Sequence, residues 1–178
     1  MSEQTDRAAA LVAFDRARDA FLAAFAAAPD AALPYVPAGE EYALGVLPMH
    51  LEDPMRHYMA VFDYIQAADF GPVDLAPTPE AAPVPPERHA AIVATRPAGA
   101  DRARLLDDLA ARHAWVRERV SGLDEATFAR QAPVIYAAGS EPFPTSCRDI
   151  MGWLADHYDE HTAQVGELLA RWRAEGNG

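Results

Sequence analysis

A chain of 178 residues with 51% hydrophobic side chains is long enough to bury a core as one domain, expected to span 1–178, without disulfide support. Its formal charge of −12, with no basic stripe interleaved with aromatics, argues against nucleic-acid binding, because an acidic surface repels phosphate backbones. The single cysteine, Cys147, excludes an internal disulfide and a Cys-rich zinc site, and no apolar run reaches secretory or membrane-spanning form, so the expectation is a cytoplasmic protein without membrane contact.

Alanine is abundant and β-branched residues are scarce, a balance that favours helix over sheet. A first amphipathic helix is predicted from about Glu3 to Ala28, with Leu11, Phe14, Phe21 and Phe25 on one face and Pro29 after it. A second runs from about Glu41 to Ala68. It carries one stripe of Ala43, Leu47, His50, His57, Val61 and Tyr64, and another of Leu44, Leu51, Met55, Tyr58, Phe62 and Ile65. Pro48 and Pro54 fall inside this pattern and predict a kink or break, with Asp53 and Pro54 as a cap and first-turn proline of a restarted helix.

From Gly71 to Pro97 seven prolines punctuate the chain, which reads as a long, mostly extended crossover. A third helix begins near Asp101 with Leu105, Leu109, His113, Val116 and Val120 on one stripe, and Gly122 is read as its stop. After a short turn from Asp124 and a loop rich in Pro and Gly, a fourth helix starts at Ser146, with Asp149 as capping partner, and runs to about Ala174. Its core stripe is Ile150, Leu154, His157, His161, Val165, Leu168 and Trp172, and no strand is predicted. The expected fold is an all-α four-helix bundle.

Of six histidines, His50, His113, His157 and His161 fall on inward stripes, His57 shares the stripe of His50, and His89 is expected in solvent. His157 and His161 are four residues apart, so their side chains differ by about 40° in direction and about 6 Å in height, close enough to converge on one cation. Two readings stay open for that pair alone: metal ligands, or interior histidines joined by a hydrogen bond. His50 on a second helix adds a third imidazole, and three neutral imidazoles leave an open coordination position of the kind catalytic zinc uses. Glu160 and Tyr158 flank the pair, about 80° to either side, as weak candidates for a catalytic role.

Other metal architectures fail. Di-iron carboxylate bundles need Glu three residues before His, and the residues there are Leu47, Pro54, Pro86, Ala110, Leu154 and Tyr158. His157, Glu160 and His161 spell the inverted zincin motif, but that family is built on a much larger α/β scaffold. Cys147, at a helix start, lies about 15 Å along the axis from His157, too far to join the same site.

The stretches Ala43-Leu44-Gly45-Val46-Leu47-Pro48-Met49-His50-Leu51 and Ile150-Met151-Gly152-Trp153-Leu154-Ala155-Asp156-His157-Tyr158-Asp159-Glu160-His161-Thr162-Ala163-Gln164-Val165 resemble the DinB superfamily, also called YfiT-like. The order of elements, long crossover included, is similar too. The resemblance implies a metal held by one histidine of the second helix and an i, i+4 pair of the fourth, which fall on His50, His157 and His161. Pro54 departs from the family pattern, and so does His113, an additional inward histidine read as a further or alternative ligand, a hydrogen-bonding support for the site or a satisfied core histidine unrelated to the metal, the last two being preferred; His57 is a further alternative.

The expectation is therefore a divalent metal, zinc or nickel, on His50, His157 and His161, activating a water or a low-molecular-weight thiol for a small-molecule substrate. The reaction would be a thiol-dependent transfer or isomerisation, or a hydrolysis. The alternative is a non-catalytic helical bundle that binds metal or a small ligand. A homodimer is expected from the second apolar stripe of the second helix and from Trp153 and Trp172.

Overall fold

The computed structural model describes residues 6–77 and 84–177. Glu3, the predicted start of the first helix, and Pro79 and Pro83 of the crossover lie outside the described residues.

Four long helices carry the architecture: α1 (Asp6–Ala26), α2 (Leu47–Ala67), α4 (Arg102–Ser121) and α6 (Cys147–Trp172). Two short ones join them, α3 (Pro86–Ala94) and α5 (Glu125–Ala129). The helix α1 lies along α6, and α2 lies along α4. Between them the core gathers Phe14, Phe21 and Phe25 of α1, Leu51, Met55 and Met59 of α2, Leu109, Val116 and Val120 of α4, and Ile150, Leu154 and Val165 of α6. The predicted stripe of α4 is the buried one, residue for residue.

Helix ends are closed by local chemistry. Ser146 Oγ accepts from the Asp149 amide while the Asp149 carboxylate accepts from the Ser146 amide at 2.8 Å, the reciprocal cap predicted for α6. Arg102 donates to the Phe25 and Ala28 carbonyls at 2.8 and 2.6 Å, serving groups that the end of α1 leaves without helical partners. Gly122 does follow the last residue of α4, but in an ordinary right-handed conformation rather than a left-handed one.

Four sequence expectations need correction, the last of them the absence of strands. The second helix begins at Leu47, not near Glu41, so Pro48 is the first-turn proline; α2 is assigned without a break through Pro54. Pro54 therefore sits inside the helix and has no N–H for the His50 carbonyl four residues back. The crossover is not simply extended: Pro85 and Pro86 start α3, which packs Ile92 on Ala43 and Val46.

Strands are also present. β1 (Val73–Asp74) pairs in parallel with β2 (Ala132–Ile135), which pairs antiparallel with β3 (Phe143–Thr145). This small sheet packs Val73, Ala132 and Val134 against Val61 and Ile65 of α2. With Pro133 opposite Pro144, neither residue has an N–H to offer, so composition alone disguised these strands as loop. Among the described residues, no helix is long and apolar enough to cross a membrane.

Candidate metal centre

The turn that delivers His50 is built by close backbone approach. Gly45 donates to the Leu33 carbonyl at 2.8 Å, and a Cβ at this position would stand 2.9 Å from that same oxygen. Only glycine fits without displacement. The tight turn Leu44–Val46 then leads directly into α2, and His50 emerges in its first turns facing α6. There it meets the pair from α6: ring centres lie 5.3 Å from His157 and 4.8 Å from His161, and His157 and His161 are 4.4 Å apart.

One ligand atom from each of His50, His157 and His161 can be chosen so that all lie within 4.8 Å of one another. The Nε2 atoms of His157 and His161 are 3.2 Å apart. Two imidazole nitrogens on one tetrahedral zinc, each at about 2.0–2.1 Å, stand roughly 3.3 Å apart. The spacing and the donor chemistry therefore fit a divalent cation.

Electrostatics favours the neutral, ligand-competent form of each ring. Burial, followed by the neighbouring His161 and His89, pushes His50 down to about 4. Burial, followed by His161 and His50, pushes His157 down to about 3. His161 is lowered mainly by burial, against an opposing hydrogen bond to Gln164. That bond is 2.6 Å from His161 Nδ1 to Gln164 Oε1; with the proton on Nδ1, the Nε2 lone pair is directed at His157. Gln164 is a partner of the cluster that the sequence reading passed over, although its place one turn beyond His161 was a usable signal.

Two further residues border the site. The Tyr42 ring lies 5.1 Å from that of His50, and its hydroxyl is 3.3 Å from His89 Nδ1. His89, expected in solvent, thus sits on α3 beside the site and only partly exposed, a placement that a proline-rich segment gave no reason to expect.

The remaining residues singled out from sequence fall elsewhere. His113 is fully buried, stacked on Phe14 at 4.0 Å, with Nε2 2.9 Å from Asp15 Oδ1 and Nδ1 3.4 Å from the Tyr158 hydroxyl. With Nε2–H donating to the carboxylate and Nδ1 accepting from the tyrosine, both ring nitrogens are occupied by protein groups away from the triad. Tyr158 is buried beside Phe14 and Phe21 and directed to His113, not to the triad. Glu160 is exposed, its carboxylate 3.6 Å from His157 Nδ1, just beyond hydrogen-bonding reach. His57 is buried beside Tyr58 and is not part of the three-histidine group. Cys147 is fully buried, and burial pushes its thiol up to about 12, so it has no nucleophilic form at neutral pH.

Comparison with known proteins finds no significant match among curated proteins or among solved structures. A family model described as the DinB superfamily does match, over residues 13–165, a span running from within α1 to within α6 and holding all three clustered histidines. The chain belongs to the DinB superfamily.

Proposed function

We propose that this protein holds a divalent cation, zinc or nickel, on His50, His157 and His161, and acts as a metal-dependent enzyme on a small molecule. The observation that carries the proposal is the meeting of three imidazoles from two helices, with one ligand atom of each within 4.8 Å of the others. A cation bound there supplies Lewis acidity, enough to activate a water or a low-molecular-weight thiol at neutral pH. The chain would contribute three neutral donors, which leave the charge of the cation undiminished, and the Gln164 hydrogen bond that orients His161. With a thiol the reaction class is S-transfer or thiol-dependent isomerisation; with water it is hydrolysis.

Room for a small molecule supports this reading. Tyr58, Tyr136, Phe143 and Trp153 line a cleft of about 450 Å³ with Glu141. Trp153, one turn before His157 on α6, packs on Tyr58 of α2, so the cleft lies beside the α2–α6 seam that holds the histidines, none of which lines it.

The test is elemental analysis of the purified protein together with mass profiling of thiol adducts. The expected result is about one zinc or nickel per chain, lost on His157→Ala. Protein that neither carries nor takes up either metal overturns the proposal. Stoichiometric metal with no thiol adduct and no turnover identifies the non-catalytic, ligand-binding bundle instead. We also propose a homodimer. Trp172 is buried within the chain and Trp153 packs on Tyr58 and Phe143, so the apolar surface left for a second copy includes Phe143, Tyr64 and Val12. Light scattering that gives a monomer mass at micromolar concentration overturns that part.

A further inference from the structure

A second cleft, of about 400 Å³, lies between α2, α3 and α4 and is lined by Glu52, Asp53, Arg56, Pro85, Arg88 and Arg112. Three guanidiniums and two carboxylates line it, with Asp108 of α4 close to Glu52, so both signs of charge meet in one cleft. Asp53 is only 3% exposed. Its Oδ1 is 3.3 Å from Arg88 Nε, while its Oδ2 is buried with no hydrogen-bond partner. In the same cleft Arg112 Nε is buried with no acceptor, its guanidinium lying over the Trp115 ring at 5.0 Å.

An unpaired buried acceptor and an unpaired buried donor in one cleft are costly, and each asks for the opposite partner. An anion such as phosphate would serve the arginines but face Asp53 and Glu52 with like charge. A simple cation would do the reverse. A ligand with both charges a few ångströms apart answers both demands: a carboxylate held by the arginine forks, and an ammonium held by Asp53 and Glu52. Burial holds the Asp53 carboxyl above the usual range despite the neighbouring Arg88.

We propose that this cleft binds the zwitterionic α-amino-carboxylate headgroup of an amino acid or of a small molecule that carries one. This does not rest on the metal reading, although Asp53 is only three residues beyond His50 on α2.

The test is calorimetric or NMR titration of the full-length protein with L-alanine, propionate and ethylamine, each of the last two keeping one charge of the headgroup. The expected result is saturable L-alanine binding, with propionate and ethylamine at least about tenfold weaker. Arg88→Gln, which keeps an N–H donor beside Asp53, and Asp53→Asn should each weaken L-alanine binding by about tenfold. His157→Ala should leave it unchanged, which separates this cleft from aminocarboxylate chelation at the histidines. A parallel titration with γ-L-glutamylglycine decides whether the headgroup is preferred free or on a longer molecule. No saturable L-alanine binding overturns the proposal. So does binding equal to that of propionate, or binding lost in His157→Ala and retained in Arg88→Gln.

Discussion

His157 and Tyr158 are adjacent in sequence, yet they face two regions of opposite character. On one side of α6, Tyr158 joins His113, Asp15 and Phe14 in a closed hydrogen-bonded group, where both nitrogens of the imidazole are taken by protein atoms. On the other side, His157 faces His161 and His50, nitrogen towards nitrogen, with Gln164 engaging only the far edge of His161. Burial disfavours the charged ring in both regions. The difference lies in the partners: His113 is bonded to Asp15 and Tyr158 at its two nitrogens, whereas His157 and His161 have each other, Nε2 to Nε2 at hydrogen-bonding distance, with His50 alongside. Burial alone therefore does not distinguish a packing histidine from a metal ligand; the partners of each nitrogen do.

The sharpest way to break this contrast is to remove one member from each side. His157→Ala or His161→Ala should lower metal affinity by at least about a hundredfold, since losing even an outer hydrogen bond to a ligand costs about 10–100-fold. His113→Ala should leave metal stoichiometry intact. Metal retained by the first pair, or lost with the last, as read by elemental analysis after gel filtration, would collapse the distinction.

Stability should respond in the converse sense. His113→Ala empties a fully buried site, strands the Tyr158 hydroxyl and leaves Asp15 with Arg117 alone, a loss of about 2–4 kcal/mol. Thermal denaturation should fall by roughly 5–15 °C for a chain of this size. A melt within experimental error of the unmodified protein would show that the closed group is not structural.

Gln164→Leu tests the orientation of His161. It should weaken metal binding by about tenfold, with little change in the melt of the metal-free protein. Unchanged affinity would mean that packing, not the amide, holds the ring.

The smallest effect is a pH dependence. Burial lowers the His113 pKa in the folded protein, even though Asp15 pulls the other way, so the unfolded chain binds the extra proton first. Its contribution is complete above the unfolded value near ~6.5 and is lost as pH falls towards the folded value. Burial pushes the Asp15 carboxyl up, but hydrogen bonds from His113 and Arg117 outweigh this and lower its pKa below 3.8. Its share is therefore present above that value and disappears in stronger acid. Denaturant unfolding of the chelator-treated protein should show stability falling below pH ~6.5 more steeply than in His113→Phe, by at most about 1.4 kcal/mol per pH unit. Parallel curves would remove His113 as the source.

Much of this molecule was readable in advance where local physics governs. The apolar spacing of α1, α4 and α6, the Ser146 cap and the i, i+4 placement of His157 and His161 follow from helix periodicity, which is a property of consecutive residues. Elements stabilised by distant partners were not readable. β1 has two residues and β2 carries a proline, so neither has a pattern of its own; they exist because α2 offers Val61 and Ile65 to cover them. The helix α3 was hidden by the prolines that begin it, and with it the approach of His89 and Arg88 to α2. The three histidines could be nominated from sequence because each lies on an inward stripe. That His50 meets the α6 pair while His113 turns to Asp15 depends on which helices are neighbours, and only tertiary packing decides which face of one helix is opposed to which face of another.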